Sequence, residues 1–549
     1  MLYNIGMYIR TIARKNKDGS EVRYVQLAHN YRDKEAGQSK AQVLYNFGRE
    51  EQLDTDALKR LINSINRYLG PEEAFLSQEN ELLKFVSSKP MGGTFFLDGL
   101  WQRLGIKETI DYLLKGRNFH NPVERALFAM VANRALNPKS KLAVESWVAE
   151  EAVVPDLKEI EVQHLYRAMD FLLEANEQIQ KDVFFGVANV FNLEVDLIYF
   201  DTTSTYFETE TADDFRKHGY SKDRRPDLPQ AIIGLAVTRE GIPVRCWSWP
   251  GNTADMSIIK EVKKDLTGWS LGRVITVCDR GFVSEDNLKV LQQAGGHYII
   301  GEKIRSGKKD AGVALSTAGR YQTVKENLEV KEIIVGNGEA RKRYVLVRNP
   351  KQVLKDKETR EQLLIRLREE IKAAGADKPG PHNKATCKLI AHPSYGRYLK
   401  RLKSGAVKID KAKIKEEEKL DGKYLLLTSD DTISVEDVAL GYKQLVDVEA
   451  AFRTLKSTLE LRPVYHRLED RIRAHVLLCW LALLLVRVTE YETGETWPKV
   501  RQELEKMHLG RFEHKKGFVC QRTELTNKQI SYFKTLKIKE PPRFLEIAT

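Results

Sequence analysis

The spacing of apolar residues changes along the chain in blocks, and each block predicts a different kind of element. Up to about residue 50, polar and apolar positions alternate in short runs, with Asp18-Gly19 between two of them inside the basic loop Arg14-Lys15-Asn16-Lys17-Asp18-Gly19, a hairpin signal. A mixed polar helix is expected from about Asp54 to Tyr68, stopped by Gly70-Pro71. From about 95 to 190 the spacing is helical: Val123, Ala126, Leu127, Met130 and Val131 follow an Asn121-Pro122 start. After a break at Asn137-Pro138 come a helix through Leu142, Ser146 and Trp147 and another over Val162 to Leu173. Such a region has room for a DNA-recognition helix, although simple packing accounts for each helix taken singly.

Near residue 195 the period shortens. Val195 to Phe200 is a nearly continuous apolar strand that ends at Asp201. Ala231 to Val237 and Ile242 to Trp249 flank Thr238-Arg239-Glu240-Gly241, a hairpin whose glycine supplies positive φ. Next come a helix from Ala254 to Leu266, a strand from Val274 to Cys278 ending at Asp279, a helix from Ser284 to Gln293 and a strand Tyr298-Ile299-Ile300 ending at Gly301. This order predicts a mixed five-stranded sheet with helices on its faces. Residues 303–421 are polar and Lys-rich, with a strand at Lys342 to Val347, a helix at Lys357 to Ala374 and a loop at Gly375 to Pro381. They read as an insertion, because the sheet pattern resumes at Tyr424 to Thr428.

The expected fold class is therefore α/β, divided into an N-terminal β-hairpin and helix region (1–90), a helical region (91–193), the sheet core in two parts (194–302 and 422–490), an inserted α+β domain (303–421) and a basic C-terminal tail (491–549). Trp247 and Trp249 share one sheet face and are expected in the core. The most apolar run, Val476 to Val486, falls short of the ~20 residues that span a bilayer and reads as a buried core helix, so no membrane is expected. Arg10 and Arg14 interrupt any apolar leader after Met1, and a cytoplasmic setting is expected.

Composition narrows the partners. The 89 Lys and Arg against 77 Asp and Glu leave a formal charge of +12 on 549 residues, which suits a polyanion without requiring one. The five cysteines form no CxxC pair, so neither a zinc site nor a disulfide framework is indicated.

The acids carry the chemistry. Asp201 and Asp279 each follow an apolar strand, where a carboxylate can be aimed at little entropic cost. The helix beginning near Gly441 carries Leu445, Val448, Phe452 and Leu455 toward the core, and Glu449 falls between them, where a charge is costly unless paired or metal-bound. Tyr442, Glu449 and Lys456 are seven apart and stack on one stripe, drifting only ~20° per step. Carboxylates without thiolate or imidazole partners suit Mg²⁺ or Mn²⁺, and two such ions activate a nucleophile and stabilise a leaving oxygen at a phosphodiester. Arg280, Arg453 and Lys456 would neutralise phosphate charge. His466 and His475 lack a second ligand at metal spacing and read as structural.

These residues resemble a known family. Tyr199-Phe200-Asp201-Thr202-Thr203, Cys278-Asp279-Arg280-Gly281-Phe282 and the stretch from Tyr442 through Glu449 to Lys456 are similar to the DDE transposases of bacterial insertion sequences, in the branch whose RNase H-like core carries a strand-rich insertion before the last acid. Pro250-Gly251-Asn252-Thr253-Ala254-Asp255, Leu461 to His466, Arg471 to His475 and Asn137 to Ala143 extend the resemblance over roughly 120–490. It implies that Asp201, Asp279 and Glu449 are the catalytic, metal-holding triad, with Tyr442, Lys456, Arg453 and Arg280 at the DNA. The family's arginine position before the Glu is Leu445 here, a departure from the signature. The implied activity is binding of terminal inverted repeats, DNA cleavage and transfer of 3′ ends to target DNA, with a homodimer on the DNA. The alternatives are an RNase H-like nuclease that does not join strands and a non-catalytic DNA-binding relative.

Overall fold

The chain is seen in a computed structural model that describes residues 7–17, 19–32, 39–69, 84–117, 119, 121–193, 196–269, 274–305, 308–338, 341–378, 384–514 and 517–548. Asp18, Gly70-Pro71, Val195 and residues 379–381, which figure in the expected turns, strand start and loop, lie outside the described residues. The molecule divides into two compact units, one of residues 1–88, 510–522 and 542–549, the other of 89–509 and 523–541.

In the smaller unit, Met7–Lys15 (β1), Glu21–Arg32 (β2) and Ser39–Arg49 (β3) form an antiparallel sheet, so the expected hairpin gains a third strand. Gly19 turns the first hairpin at φ +86°, its N–H donating to the Asn16 carbonyl. The polar helix is present at Thr55–Leu69. A second sheet joins Lys84–Pro90 (β4) to three strands from the far end of the chain, His508–His514, Gly517–Arg522 and Phe544–Ala548.

The larger unit is built on one mixed sheet. Leu197–Tyr206 (β5), Gln230–Val237 (β6), Pro243–Pro250 (β7), Ile275–Cys278 (β8) and His297–Glu302 (β9) stand in the order β9-β8-β5-β6-β7, with β5, β8 and β9 parallel and β6 and β7 antiparallel. This is the five-stranded mixed core expected of an RNase H-like fold. Gly241, at φ +73°, closes the β6–β7 hairpin, and Gly234 leaves room for the Trp249 ring, 2.6 Å from where a Cβ would stand. Phe200, Trp247, Trp249, Phe282 and Ile300 pack on one face under the helices Asp255–Thr267 and Glu285–Gln292, each large side chain contributing ~1.5–3 kcal/mol of burial. Trp247 and Trp249 stack 9° from parallel, and their indole N–H groups donate to Asp265 (2.9 Å) and Glu261 (2.8 Å), so both belong to the core.

The sheet does not stop at five strands. Gln322–Lys325 (β10), Leu328–Val335 (β11), Lys342–Arg348 (β12) and, after a long excursion, Lys423–Thr428 (β15) continue it beyond β9, all antiparallel, to nine strands. Within 303–421 the part before residue 349 therefore serves the sheet, because Val330, Ile333 and Tyr344 to Val347 bury against it. The remainder folds on a small core of its own, with Leu364, Leu367 and Ile371 of the helix Pro350–Ala373 packed on Leu389, Tyr398, Leu399 and Val407. A short hairpin, Leu399–Arg401 (β13) with Val407–Ile409 (β14), completes it.

Beside the sheet, Val123–Leu136 and Val162–Glu174 pack around Glu469–Thr493. This last helix is buried at every position from Ala474 to Val486. By length and composition it could cross a membrane, yet 89% of its most apolar stretch is inside the protein, where it serves as a core helix. The described residues of 491–549, expected as a tail, are folded. Trp497, Val500, Leu504, Tyr532 and Phe533 are buried, and the Trp497 indole donates to the Ala135 carbonyl at 2.9 Å. Their apolar spacing is carried by two short helices, Trp497–Leu504 and Asn527–Thr535, too brief to stand out against the surrounding charge.

Candidate active site

The register of two parallel strands sets the first two acids side by side. Phe200 of β5 pairs with Cys278, the last residue of β8, so Asp201 and Asp279 follow at the same level on neighbouring strands. Asp201 is not at a strand end as the sequence suggested, because β5 runs on to Tyr206 along β6. It stands where β8 stops and one edge of β5 becomes free.

Asp201 is half-buried, and its backbone neighbour Thr202 N donates to its Oδ1 at 2.7 Å. Burial raises its carboxyl above the ordinary range, Asp255 and Asp279 add to that, and Lys222 with the Thr202 N–H opposes it. The Lys222 ammonium lies 3.6 Å from Asp201 Oδ1 and 3.6 Å from Asp255 Oδ2, and donates to Thr202 O (2.6 Å) and Oγ1 (2.7 Å). Thr202 Oγ1 in turn donates to Asp255 Oδ1 at 2.6 Å.

The third acid arrives on a broken helix. Val435–Lys443 and Leu445–Arg453 meet at Gln444, and the wider turn Thr454–Thr458 extends the second. Val448, Phe452 and Leu455 are buried as expected, but Glu449 is exposed instead of core-facing. Glu449 opens into a cavity of about 360 Å³ that Asp201, Asp279, Tyr424, Tyr442 and Leu445 also line. Three polar ties hold this segment to the sheet. Tyr199 of β5 donates to Gln444 Oε1 (2.6 Å), the Tyr442 hydroxyl donates to Asp279 Oδ1 (3.0 Å), and the Lys456 ammonium donates to Thr203 Oγ1 (2.7 Å) and Asp223 Oδ1 (2.7 Å). Asp223 is shared with Arg462 at 3.1 Å. Burial lowers the Lys456 ammonium, with Asp223 opposing, and burial raises the Tyr442 hydroxyl, helped by Asp279. Arg280 and Arg453 are exposed.

A family model described as "Transposase DDE domain" matches residues 196–485, more than half of the chain, and takes in all three acids. The chain belongs to the DDE transposase family. A second model, for the N-terminal domain of IS1634 family transposases, matches residues 9–77, which makes this a transposase of the insertion-sequence kind. Among solved structures the transposase is similar to the piggyBac transposase in a synaptic complex with hairpin DNA, at 12% identity and a TM-score of 0.33, over 78% of this chain and 82% of that one. No curated protein matches.

The donor set of this transposase fits hard divalent cations: carboxylate oxygens only, Asp201 among them with Asp255 and Asp279 as acidic neighbours that Lys222 offsets only in part. Among the described residues no three acids, histidines or cysteines are close enough together to share one ion. The three carboxylates thus share a cavity wall without forming a closed cage, and no thiol or imidazole competes. Sequence reasoning passed over Lys222 and Asp223, which sit in a polar loop with no periodicity, and gave Asp255 no role, since an acid in a helix's first turn is ordinary capping.

Proposed function

We propose that this transposase cleaves DNA at element ends and transfers the 3′ ends to target DNA, with Asp201, Asp279 and Glu449 as the acids that hold the catalytic divalent cations, Mg²⁺ or Mn²⁺. The observation that carries the reading is the single cavity lined by all three carboxylates, two of them abreast on parallel strands. Two bound ions supply Lewis-acid activation of the attacking oxygen and charge stabilisation at the leaving one. The chain's own part is positional. Tyr442 steers the Asp279 carboxylate, and the β5–β8 register keeps it level with Asp201.

Arg280 and Arg453, exposed near the acids in sequence, contribute positive charge for the DNA backbone. Lys456 reaches a phosphate only by exchanging out of its bonds to Asp223 and Thr203, so its contribution falls at the stage when DNA is engaged. Pairing two ends calls for two copies of the chain on the DNA, in the bacterial cytoplasm. The test mixes purified protein, DNA carrying the element's terminal repeats and Mg²⁺, with Asp201→Ala alongside. Cleaved and joined products from the intact protein alone are expected. Cleavage without joining would make it a nuclease, and equal products from both proteins would remove Asp201 from the chemistry.

A further inference from the structure

A second cavity, about 560 Å³, lies where the helical region meets the segment that follows the Glu449 helix. Arg134, Lys139, Lys141, Tyr166, His466 and His475 line it, and no carboxylate does. Its volume is that of ordinary small-molecule pockets. We infer that this cavity is a phosphate-binding site, distinct from that of the three acids, taking a phosphate group either on a nucleic-acid backbone or free in solution.

The strongest sign is Lys141, which is 3% exposed and whose Nζ has no hydrogen-bond partner. A buried ammonium with nothing to bind is unfavourable, and an anion in the cavity removes the penalty. His475 Nδ1 and Arg134 Nε are also buried without partners. The other donors are already committed. Arg134 donates to the carbonyls of Glu460 (3.1 Å) and Lys139 (2.9 Å), Lys139 pairs with Glu151 (2.6 Å), and His475 Nε2 meets the Leu461 carbonyl (3.2 Å). Free donors of Lys141 and Arg134 and like charges therefore converge on one volume, while neutral His475, its Nε2–H given to the Leu461 carbonyl, contributes wall and no donor. Burial, then Arg134, pushes the Lys141 ammonium down to about 7, the direction a bound anion would reverse. Tyr166 adds an aromatic wall. A divalent cation is excluded as the occupant by the sign of every charged side chain present.

Inorganic phosphate titrated calorimetrically into the full-length protein, at ionic strength held constant with chloride, should bind saturably and raise Tm. Lys141→Met should weaken binding by about tenfold or more, while its phosphate-free Tm stays equal or rises because an unpaired charge has gone. Lys139→Gln, at a side chain less buried than Lys141, should weaken binding severalfold and decides the matter if the first variant does not fold. Absence of saturable binding, or undiminished binding in the variants, overturns the inference. Competition by a short DNA strand assigns a backbone phosphate, and its absence assigns free phosphate; either upholds the site. Asp279→Asn should bind phosphate like the intact protein whether or not it cleaves DNA, so this site and the catalytic reading fail separately.

Discussion

The two sides of the acidic cavity are built differently. Asp201 and Asp279 sit on parallel strands whose backbone register fixes their spacing, with Phe200, Cys278 and Phe282 buried behind them. Glu449 sits on a helix interrupted at Gln444 and followed by a widened turn, anchored by a few apolar side chains and three polar ties. A strand pair cannot shift one residue without turning its side chains over. A short helix between two irregularities moves at the cost of a few side-chain bonds. The strand side supplies a fixed platform, and the helix side supplies the adjustable member.

Perturbing the platform should have the largest effect. Asp201→Asn or Asp279→Asn should lower cleavage by about a thousandfold or more in single-turnover assays. Asp201→Asn should leave Tm unchanged or raised, because burial already disfavours its carboxylate. A similar loss of activity with a large drop in Tm would mean that the acids serve folding instead. Next comes the helix anchor. Asp223→Ala leaves Lys456 and Arg462 without their shared partner and should cost about 2 kcal/mol in urea melts, below the full buried-pair penalty because the site is partly open. Hydrogen exchange should rise in 445–461 and stay unchanged in β5 and β8; equal loosening of both would erase the distinction drawn here.

A subtler change acts through Gly301 of β9, over which the Tyr442 ring lies so closely that any Cβ would run into its hydroxyl. Gly301→Ala should displace Tyr442 from Asp279 and match Tyr442→Phe, each lowering activity by about tenfold with roughly 1 kcal/mol of stability lost. Full activity in Tyr442→Phe would show that the tie is dispensable. The smallest effect is that of acid on the helix side. Burial, then the cations around it, lowers His466 to about 4, and burial lowers His475 well below its ordinary 6.5. The unfolded imidazoles take protons that the folded ones refuse, so stability is fully present above pH 6.5 and is lost as pH falls from there toward 4. His475→Asn should flatten that slope in thermal melts between those pH values, and an unchanged slope would count against it.

Much of this was legible in the sequence. The strand before Asp279 is a short apolar run with a clear stop, and four of the five core strands fall within a few residues of their expected places, while β5 runs past Asp201 to Tyr206 through polar residues that carry no apolar signal. The seven-residue spacing of Tyr442, Glu449 and Lys456 predicted one stripe of one helix, but the three fall on successive helical segments, Tyr442 and Glu449 lining the acidic cavity and Lys456 bonding to Thr203 and Asp223. What the spacing hid was the break at Gln444, whose side chain accepts from Tyr199 of another strand, and the outward turn of Glu449 into open space. Of the four added strands, β12 and β15 stand where Lys342 to Val347 and Tyr424 to Thr428 were expected, whereas β10 and β11 were hidden because they carry exposed charged residues that mask their alternation. Lys222 and Asp223 act through partners far away in the chain, which no local pattern reveals.

The central claim is that carboxylates from both sides of the cavity jointly hold the divalent ions. Mn²⁺ titration followed by electron paramagnetic resonance, on full-length protein bound to DNA with element ends, tests it directly. The account predicts two Mn²⁺ per chain in the intact protein, with occupancy lost in Asp279→Asn and sharply weakened in Glu449→Gln. Unaltered Mn²⁺ uptake in Glu449→Gln would contradict it, leaving the helix side with no part in holding metal.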